Sequence, residues 1–354
     1  MKEKISSLRS KFAELNVDAV YITSPVSHRY LTKFDNPDAS LLITKENAYA
    51  FEDFRYTETA NEKLKGVFTV IEPHGKRKDW LGDIVKREKV KNLGIENLHM
   101  NLYYFDNLKK DLDVTFMGIG STIETMREIK DEWEVENIIK AQKITDDAFS
   151  HIVKIMSPDM TENDVAAELE YFMRKHGAED KSFETIAVSG KKSSMPHGVP
   201  SSVKLQKGFL TMDFGAVVNG YHSDMTRTVC IGKADDEMKK LYNTVLEAQL
   251  RAIDFIKAGV NCKEADGIAR EIIYKDYRGC FGHSLGHGVG LEIHERPNLS
   301  PNFDKILESG NVVTVEPGIY IAGKYGCRIE DMGVVRNGKI EIFTRSPKEL
   351  IELF

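Results

Sequence analysis

Cysteine is scarce in this chain. Only Cys230, Cys262, Cys280 and Cys327 occur in 354 residues, and no two stand in C-x-x-C spacing. That is too few and too scattered for a disulfide framework, so reduced thiols in packed positions are expected. Long apolar runs are lacking as well. The opening "MKEKISSLRSKFAELN" carries a charge every few residues, so it is neither a signal peptide nor a membrane span; it reads as an amphipathic helix, and a cytoplasmic location is the expectation. Nor is there an excess of basic charge. With 49 lysines and arginines against 55 acidic residues, the formal net charge is −6 and no long run of either sign occurs, which argues against a nucleic-acid partner held by phosphate contacts. Repeats and low-complexity tracts are absent too.

What is present is a globular composition, 41% hydrophobic and 29% charged. The length exceeds one core of roughly 150 residues, so two domains are expected. The first third alternates the apolar runs "DAVYIT", "SLLIT", "AYAFE", "VFTVIE", "NLGIE" and "DVTFMGIG" with helical segments such as "DFRYTETANEKLKG" and "LYYFDNLKKDL". That is α/β patterning. From about Met126 long amphipathic helices take over: "KDEWEVENIIKAQKITDDAFSHIVKIM", "TENDVAAELEYFMRKHG" with Thr161 as cap and Gly177 as stop, "DDEMKKLYNTVLEAQLRAIDFIKAG" closing at Gly259, and "NCKEADGIAREIIYKDYRG" opening at Asn261. A strand-rich, glycine-rich tail begins near Gly282. The second part is therefore α+β, helices on a mostly antiparallel sheet, and the expected division is 1–124 and 125–354.

The stretch "MDFGAVVNGYHSDMTRTV", Met212 to Val229, keeps two aspartates in strand-like surroundings, where aspartate is depleted. Asn219-Gly220 between two β-prone runs marks a two-residue type I′ hairpin. With Val218 facing Tyr221, Asp213 faces Thr226 and Gly215 faces Asp224, all four on one side of the sheet. The aspartates are then diagonal neighbours roughly 7–8 Å apart at the backbone. Two carboxylates aimed at one point repel unless a proton or a cation lies between them. A solvated hairpin tip is the plainer reading of the same residues.

The tail supplies partners. "FGHSLGHGVGLEIHERP" holds His283, His287 and His294, "VVTVEPGIY" holds Glu316, and "CRIEDMGVV" holds Arg328, Glu330 and Asp331. Taken singly, each histidine reads as a hydrogen-bonded loop residue, and Glu330 as a partner of Arg328. Glu316 resists that treatment. It follows a run apolar on both faces, where an ionised carboxylate must be paired, protonated or metal-bound.

Together these residues resemble a known family. Asp213, Asp224, His287, Glu316 and Glu330 stand in "DFG…SDMTRT", "GHGVGLEIHE", "EPGIY" and "RIEDMG". In order and spacing they look like the five metal ligands of the proline peptidases, which include prolidase (Xaa-Pro dipeptidase) and aminopeptidase P among the pita-bread metallopeptidases. Eleven positions separate the two aspartates and fourteen the two glutamates. The N-terminal region is similar to the creatinase-type N-terminal domain, with "SHRYLTKF" in place of the more usual asparagine-bearing "N-x-x-YLTGF". Methionine aminopeptidases generally lack that domain and creatinase lacks the ligands, so both fit less well. The resemblance implies two domains, an N-terminal α/β creatinase-type domain and a C-terminal α+β pita-bread metallopeptidase domain. It further implies a homodimer, and a small peptide substrate with proline at the second position.

The chemistry of the set agrees with that implication. Four carboxylates and a neutral imidazole carry four negative charges, which two divalent metal ions cancel, a bridging hydroxide completing the shell. Such oxygen-rich ligation suits Mn²⁺ foremost, with Co²⁺, Fe²⁺ or Zn²⁺ as other occupants. Two metals ~3.5–4 Å apart lower the pKa of a shared water and polarise a carbonyl, which is what amide hydrolysis at neutral pH requires. By resemblance, Glu316 would also shuttle the water's proton, His294 and His197 (in "SSMPHGVPS") would stabilise the oxyanion and hold substrate, and His283 would line the leaving-group side. Thr226 and Arg328 would orient carboxylates. For His197 an ordinary "PHGVP" loop is the plainer reading. Seven positions separate His287 from His294, which puts them on opposite faces of a regular strand. Both serve one site only if the chain bends, as Gly288 and Gly290 permit. A non-catalytic peptide- or protein-binding member of the fold has no use for four mutually repelling carboxylates, so the peptidase reading is preferred to it. Dipeptidase, aminopeptidase and methionine-specific variants of that reading stay open.

Overall fold

The six apolar runs of the first third become six strands of one sheet, in the order Thr69–Ile71, Ala48–Phe51, Ser40–Thr44, Ala19–Ile22, Asn92–Ile95, Thr115–Gly118. Ser40–Thr44 is antiparallel to both neighbours and the other pairs are parallel. The central strands Ala19–Ile22 and Ser40–Thr44 are buried along their whole length, which is why they read as unbroken apolar runs instead of alternating ones. "SHRYLTKF" runs from inside the helix Pro25–Thr32 past its end, and its His28 is fully buried, 3.2 Å from Glu52 Oε1 and 3.2 Å from the Phe34 carbonyl. The computed structural model describes the whole chain, Met1–Phe354, and its contacts divide it into Met1–Met126 and Arg127–Phe354. No helix is long and apolar enough to cross a membrane.

In the second unit the helices start and stop at polar punctuation. Glu132–Ile155 begins with a reciprocal cap between Asp131 and Glu134, and Glu162–Lys175 with one between Thr161 and Asp164. The latter ends before Gly177, whose φ of +104° only glycine adopts freely. Asp236–Phe255 and Cys262–Tyr274 bury Leu241, Val245, Ala265 and Ala269 in one core. One sheet orders Glu352–Leu353, Met225–Ile231, Gly208–Phe214 and Ile186–Ser189; another orders Glu295–Leu299, Gly286–Gly288, Val312–Val315, Asp331–Val335 and Ile340–Ile342. Only the short C-terminal strand pairs in parallel. All four cysteines are free and three are buried.

The hairpin carries the expected register at both ends, with Val218 opposite Tyr221 and Asp213 opposite Thr226. Asn219 and Gly220 take φ of 50° and 77°, as a type I′ turn requires. Between those ends one expected pair does not form. Gly215 does not ladder with Asp224: its carbonyl accepts from Ser182 N at 2.8 Å, and Asp224 N turns instead to Met332 Sδ at 3.3 Å. The interruption comes from close approach, since a Cβ on Gly215 would lie 1.9 Å from Ser223 O.

Candidate metal centre

Strand ends deliver the acidic side chains. Asp213 is the last residue but one of Gly208–Phe214, and Asp224 immediately precedes Met225–Ile231. Val315 pairs with Asp331, so Glu316 and Glu330 are the next residues beyond the final pair and leave the ladder together. The backbone bond Glu330 N to Thr226 O, at 3.1 Å, ties this sheet to the hairpin. His287 comes from Gly286–Gly288, with its amide donating to Thr314 Oγ1 at 3.0 Å.

The groups converge. His287 Nε2 lies 3.4 Å from both Asp224 Oδ2 and Glu316 Oε1, and one ligand atom each of Asp224, His287 and Glu330 fall within 4.8 Å of one another. The His287 Nδ1–H donates to the Gly288 carbonyl at 3.0 Å, which aims Nε2 at the carboxylates. Thr226 Oγ1 donates to Glu330 Oε2 at 2.8 Å. Arg328 pairs not with Glu330 but with Asp213 Oδ2, at 2.5 Å, and also donates to Thr226 Oγ1 at 2.9 Å.

Burial makes this arrangement costly by itself. Desolvation, with Asp224, Glu316 and Asp213 as like-charged neighbours, pushes the Glu330 carboxyl well above the ordinary range. Burial raises Asp224 and Glu316 as well, against the pull of His287. Burial alone would depress the His287 imidazole, but Asp224 and Glu316 hold it up at about 9. Two oxygens in the cluster, Asp213 Oδ1 and Glu330 Oε1, are buried with no hydrogen-bond partner. Orphaned anionic oxygens beside an aimed imidazole nitrogen are a cation's ligand set. Asp213, Asp224, His287, Glu316 and Glu330 therefore fit divalent metal ions.

The histidines surround a cleft of about 500 Å³ above this cluster, lined by His197, His283, His287 and His294 together with Phe183, Ile186 and Ile293. The bend required between His287 and His294 is there: the chain leaves the strand after Gly288 and bends through residues 290–294, and the two rings meet edge-on with centroids 4.4 Å apart. His197 and His294 are exposed at the cleft, and burial with the nearby His287 charge lowers the His294 pKa. His283 is more constrained. Its Nδ1–H donates to Ser284 O at 2.8 Å and burial lowers its pKa to about 4, leaving Nε2 as an acceptor 3.0 Å from the Tyr320 hydroxyl.

Residues 136–337 match the metallopeptidase family M24, and residues 4–129 match the creatinase/prolidase N-terminal domain. The chain belongs to metallopeptidase family M24. It is 37% identical to a Xaa-Pro dipeptidase of Pyrococcus furiosus, over 99% of this chain and 100% of that one, and 42% identical to an uncharacterized peptidase of Bacillus subtilis, again over 99% and 100%. Among solved structures it superposes on a Xaa-Pro dipeptidase from Bacillus anthracis with a TM-score of 0.96, 43% identity and 99% of both chains covered. For an X-Pro aminopeptidase from Thermotoga maritima the TM-score is 0.92, with 38% identity over 98% of this chain and 100% of that one. The fold is thus the pita-bread metallopeptidase fold behind a creatinase-type N-terminal domain.

One member of this M24 site has no counterpart in the sequence reading. Tyr320 OH accepts from Arg328 NH1 at 2.7 Å and donates to His283 Nε2, joining the Asp213 side of the cluster to the histidine side. Its ring occupies space left by two glycines, since a Cβ on Gly318 or Gly326 would come within 2.5 or 2.7 Å of it. A tyrosine in a strand is ordinary. The available signal was the glycine pair: Gly318 faces Arg328 and Gly326 faces Tyr320 across the same two-stranded ribbon.

Proposed function

We propose that this M24 peptidase hydrolyses the N-terminal Xaa-Pro bond of dipeptides or short peptides, using two divalent metal ions, Mn²⁺ foremost, held by Asp213, Asp224, His287, Glu316 and Glu330. The observation that carries this reading is the convergence of Asp224, an aimed His287 and Glu330, in a cleft where Asp213 Oδ1 and Glu330 Oε1 are buried without partners. Relatives named as Xaa-Pro dipeptidases and as an X-Pro aminopeptidase supply the substrate class. Bound divalent ions supply a water acidified toward neutral pH and a polarised carbonyl.

The chain's own residues do the remainder. Glu316, open to the cleft on one side, takes the proton of the attacking water. Arg328 and Thr226 hold Asp213 and Glu330 against mutual repulsion. His294 and His197 flank the scissile carbonyl from the open side, where an N–H can meet a developing oxyanion. His283, with both ring nitrogens engaged, forms a wall on the leaving-group side and orients Tyr320. Proline's tertiary amide brings no N–H that needs an acceptor, and its rigid ring fills an apolar recess that alanine leaves partly empty. The test is kcat/KM for Ala-Pro and Ala-Pro-Ala against Ala-Ala and Ala-Ala-Ala with Mn²⁺ supplied. Strong preference for the proline pair is expected, and the ratio within that pair separates dipeptidase from aminopeptidase. Equal rates on proline and alanine peptides would refute the reading.

A further inference from the structure

Glu162 lies outside the cleft and has no part in the chemistry above, yet it is one of the most heavily bonded carboxylates in the molecule. It is 1% exposed, at the first position of the helix Glu162–Lys175. Its Oε1 accepts from Ser189 N at 2.8 Å and from Ser189 Oγ at 3.2 Å; its Oε2 accepts from Lys192 Nζ at 2.8 Å, Ser201 Oγ at 2.8 Å and Ser201 N at 3.2 Å. Ser189 and Ser201 are the two ends of the "SGKKSSMPHGVPS" loop, whose middle carries His197 into the cleft. Between them lie only a short 3₁₀ turn, Gly190–Ser194, and local bonds such as Gly198 N to Met195 O at 3.0 Å. The far side of the loop has weaker ties to the site: Gly326 N donates to Ser193 Oγ at 3.1 Å, and Arg328 NH1 reaches Pro196 O at 3.4 Å.

A segment with so little structure of its own does not choose the position of an exposed side chain at its tip. Its ends are fixed by the pairing of Ser189 with Leu210 and the bond from Asn163 N to Ser201 O at 3.0 Å, and one buried anion bonds both ends at once. Charge-assisted bonds are the strong kind, and removing this carboxylate would take the acceptor from the Ser189 and Ser201 amides and the counter-charge from Lys192. We infer that Glu162 is a positioning residue of the peptidase site, stapling both ends of the 189–201 loop so that His197 stands over the scissile carbonyl. The inference rests on the role given to His197 above.

Glu162→Gln keeps the shape but turns an amide toward Lys192 Nζ. Its kcat/KM on Ala-Pro-Ala is expected to fall by about 10- to 100-fold, the scale on which small misplacements act. Deuterium uptake should rise in residues 190–201 and stay at the wild-type level in the helix 162–175. In a His197→Ala background the same change should cost less than about threefold, because the side chain it positions is gone. Ser201→Ala, which removes one donor to Glu162 and one acceptor of Lys192 Nζ while leaving the carboxylate in place, is the milder companion and should move both readouts the same way. Wild-type uptake in 190–201, or an equal loss in both backgrounds, would overturn the inference. If the wild type instead hydrolyses no Xaa-Pro peptide, the substrate reading fails while the uptake comparison still decides the role of Glu162.

Discussion

At the scale of single residues, the site depends on a few groups that each do two jobs. Tyr320 is one, since its hydroxyl accepts from Arg328 and donates to His283. Tyr320→Phe removes those bonds and leaves the ring in the space between Gly318 and Gly326. We expect kcat/KM to fall by about 10- to 100-fold, the usual cost of losing a group that orients ligands, with the unfolding midpoint little changed; steady-state kinetics alongside urea denaturation checks both. The acidic and histidine ligand candidates were legible as residue types, because a buried carboxylate must have a partner. Their partners were not. Arg328 stands two positions from Glu330 yet pairs with Asp213, more than a hundred positions away, and only the crossing of two sheets decides that.

At the scale of elements, caps and turns dictated much. The reciprocal caps at Asp131 and Thr161 and the Asn219-Gly220 turn are local hydrogen-bond problems with local solutions. The bend between His287 and His294 is different: glycines permitted it, but close contact with neighbouring strands imposes it. A Cβ on Gly288 would lie 2.3 Å from Arg296 O, whereas one on Gly282 meets nothing within 4 Å. Gly288→Ala should therefore destabilise the protein by roughly 1–3 kcal/mol, as overpacking does, and displace His287 enough to lower turnover. Gly282→Ala should stay within about 0.5 kcal/mol of wild type. Paired urea titrations and activity measurements test the contrast, and equal effects at the two glycines would show that the strand contacts do not govern the bend.

At the scale of the whole molecule, the cluster couples folding to pH and to metal. Asp224, Glu316 and Glu330 have carboxyl groups raised in the folded protein, chiefly by burial, and His287 is raised to about 9 by its carboxylate neighbours. For such groups the folded state holds protons that the unfolded state releases, so their contribution is complete below the ordinary carboxylate range and is lost as pH rises through the folded values. Chelated protein should then unfold at progressively lower temperature from about pH 5 to pH 9. Mn²⁺, binding the folded chain alone, should raise the midpoint by linkage, flatten that dependence and restore peptidase activity. Calorimetry with and without chelator reads the effect, and a chelated midpoint that climbs with pH would contradict it.

By itself the sequence determined the long helices of the second unit, the six N-terminal strands, the hairpin register at its two ends and the acidic and imidazole residue types of the candidate site, because periodicity, caps, turn residues and the cost of a buried charge all act over short distances. The tertiary structure alone decided which oxygens are left without partners, that Tyr320 joins the site and that Glu162 gathers a distant loop. Those outcomes depend on contacts between segments as much as 115 positions apart, whose geometry exists only once the sheets have packed.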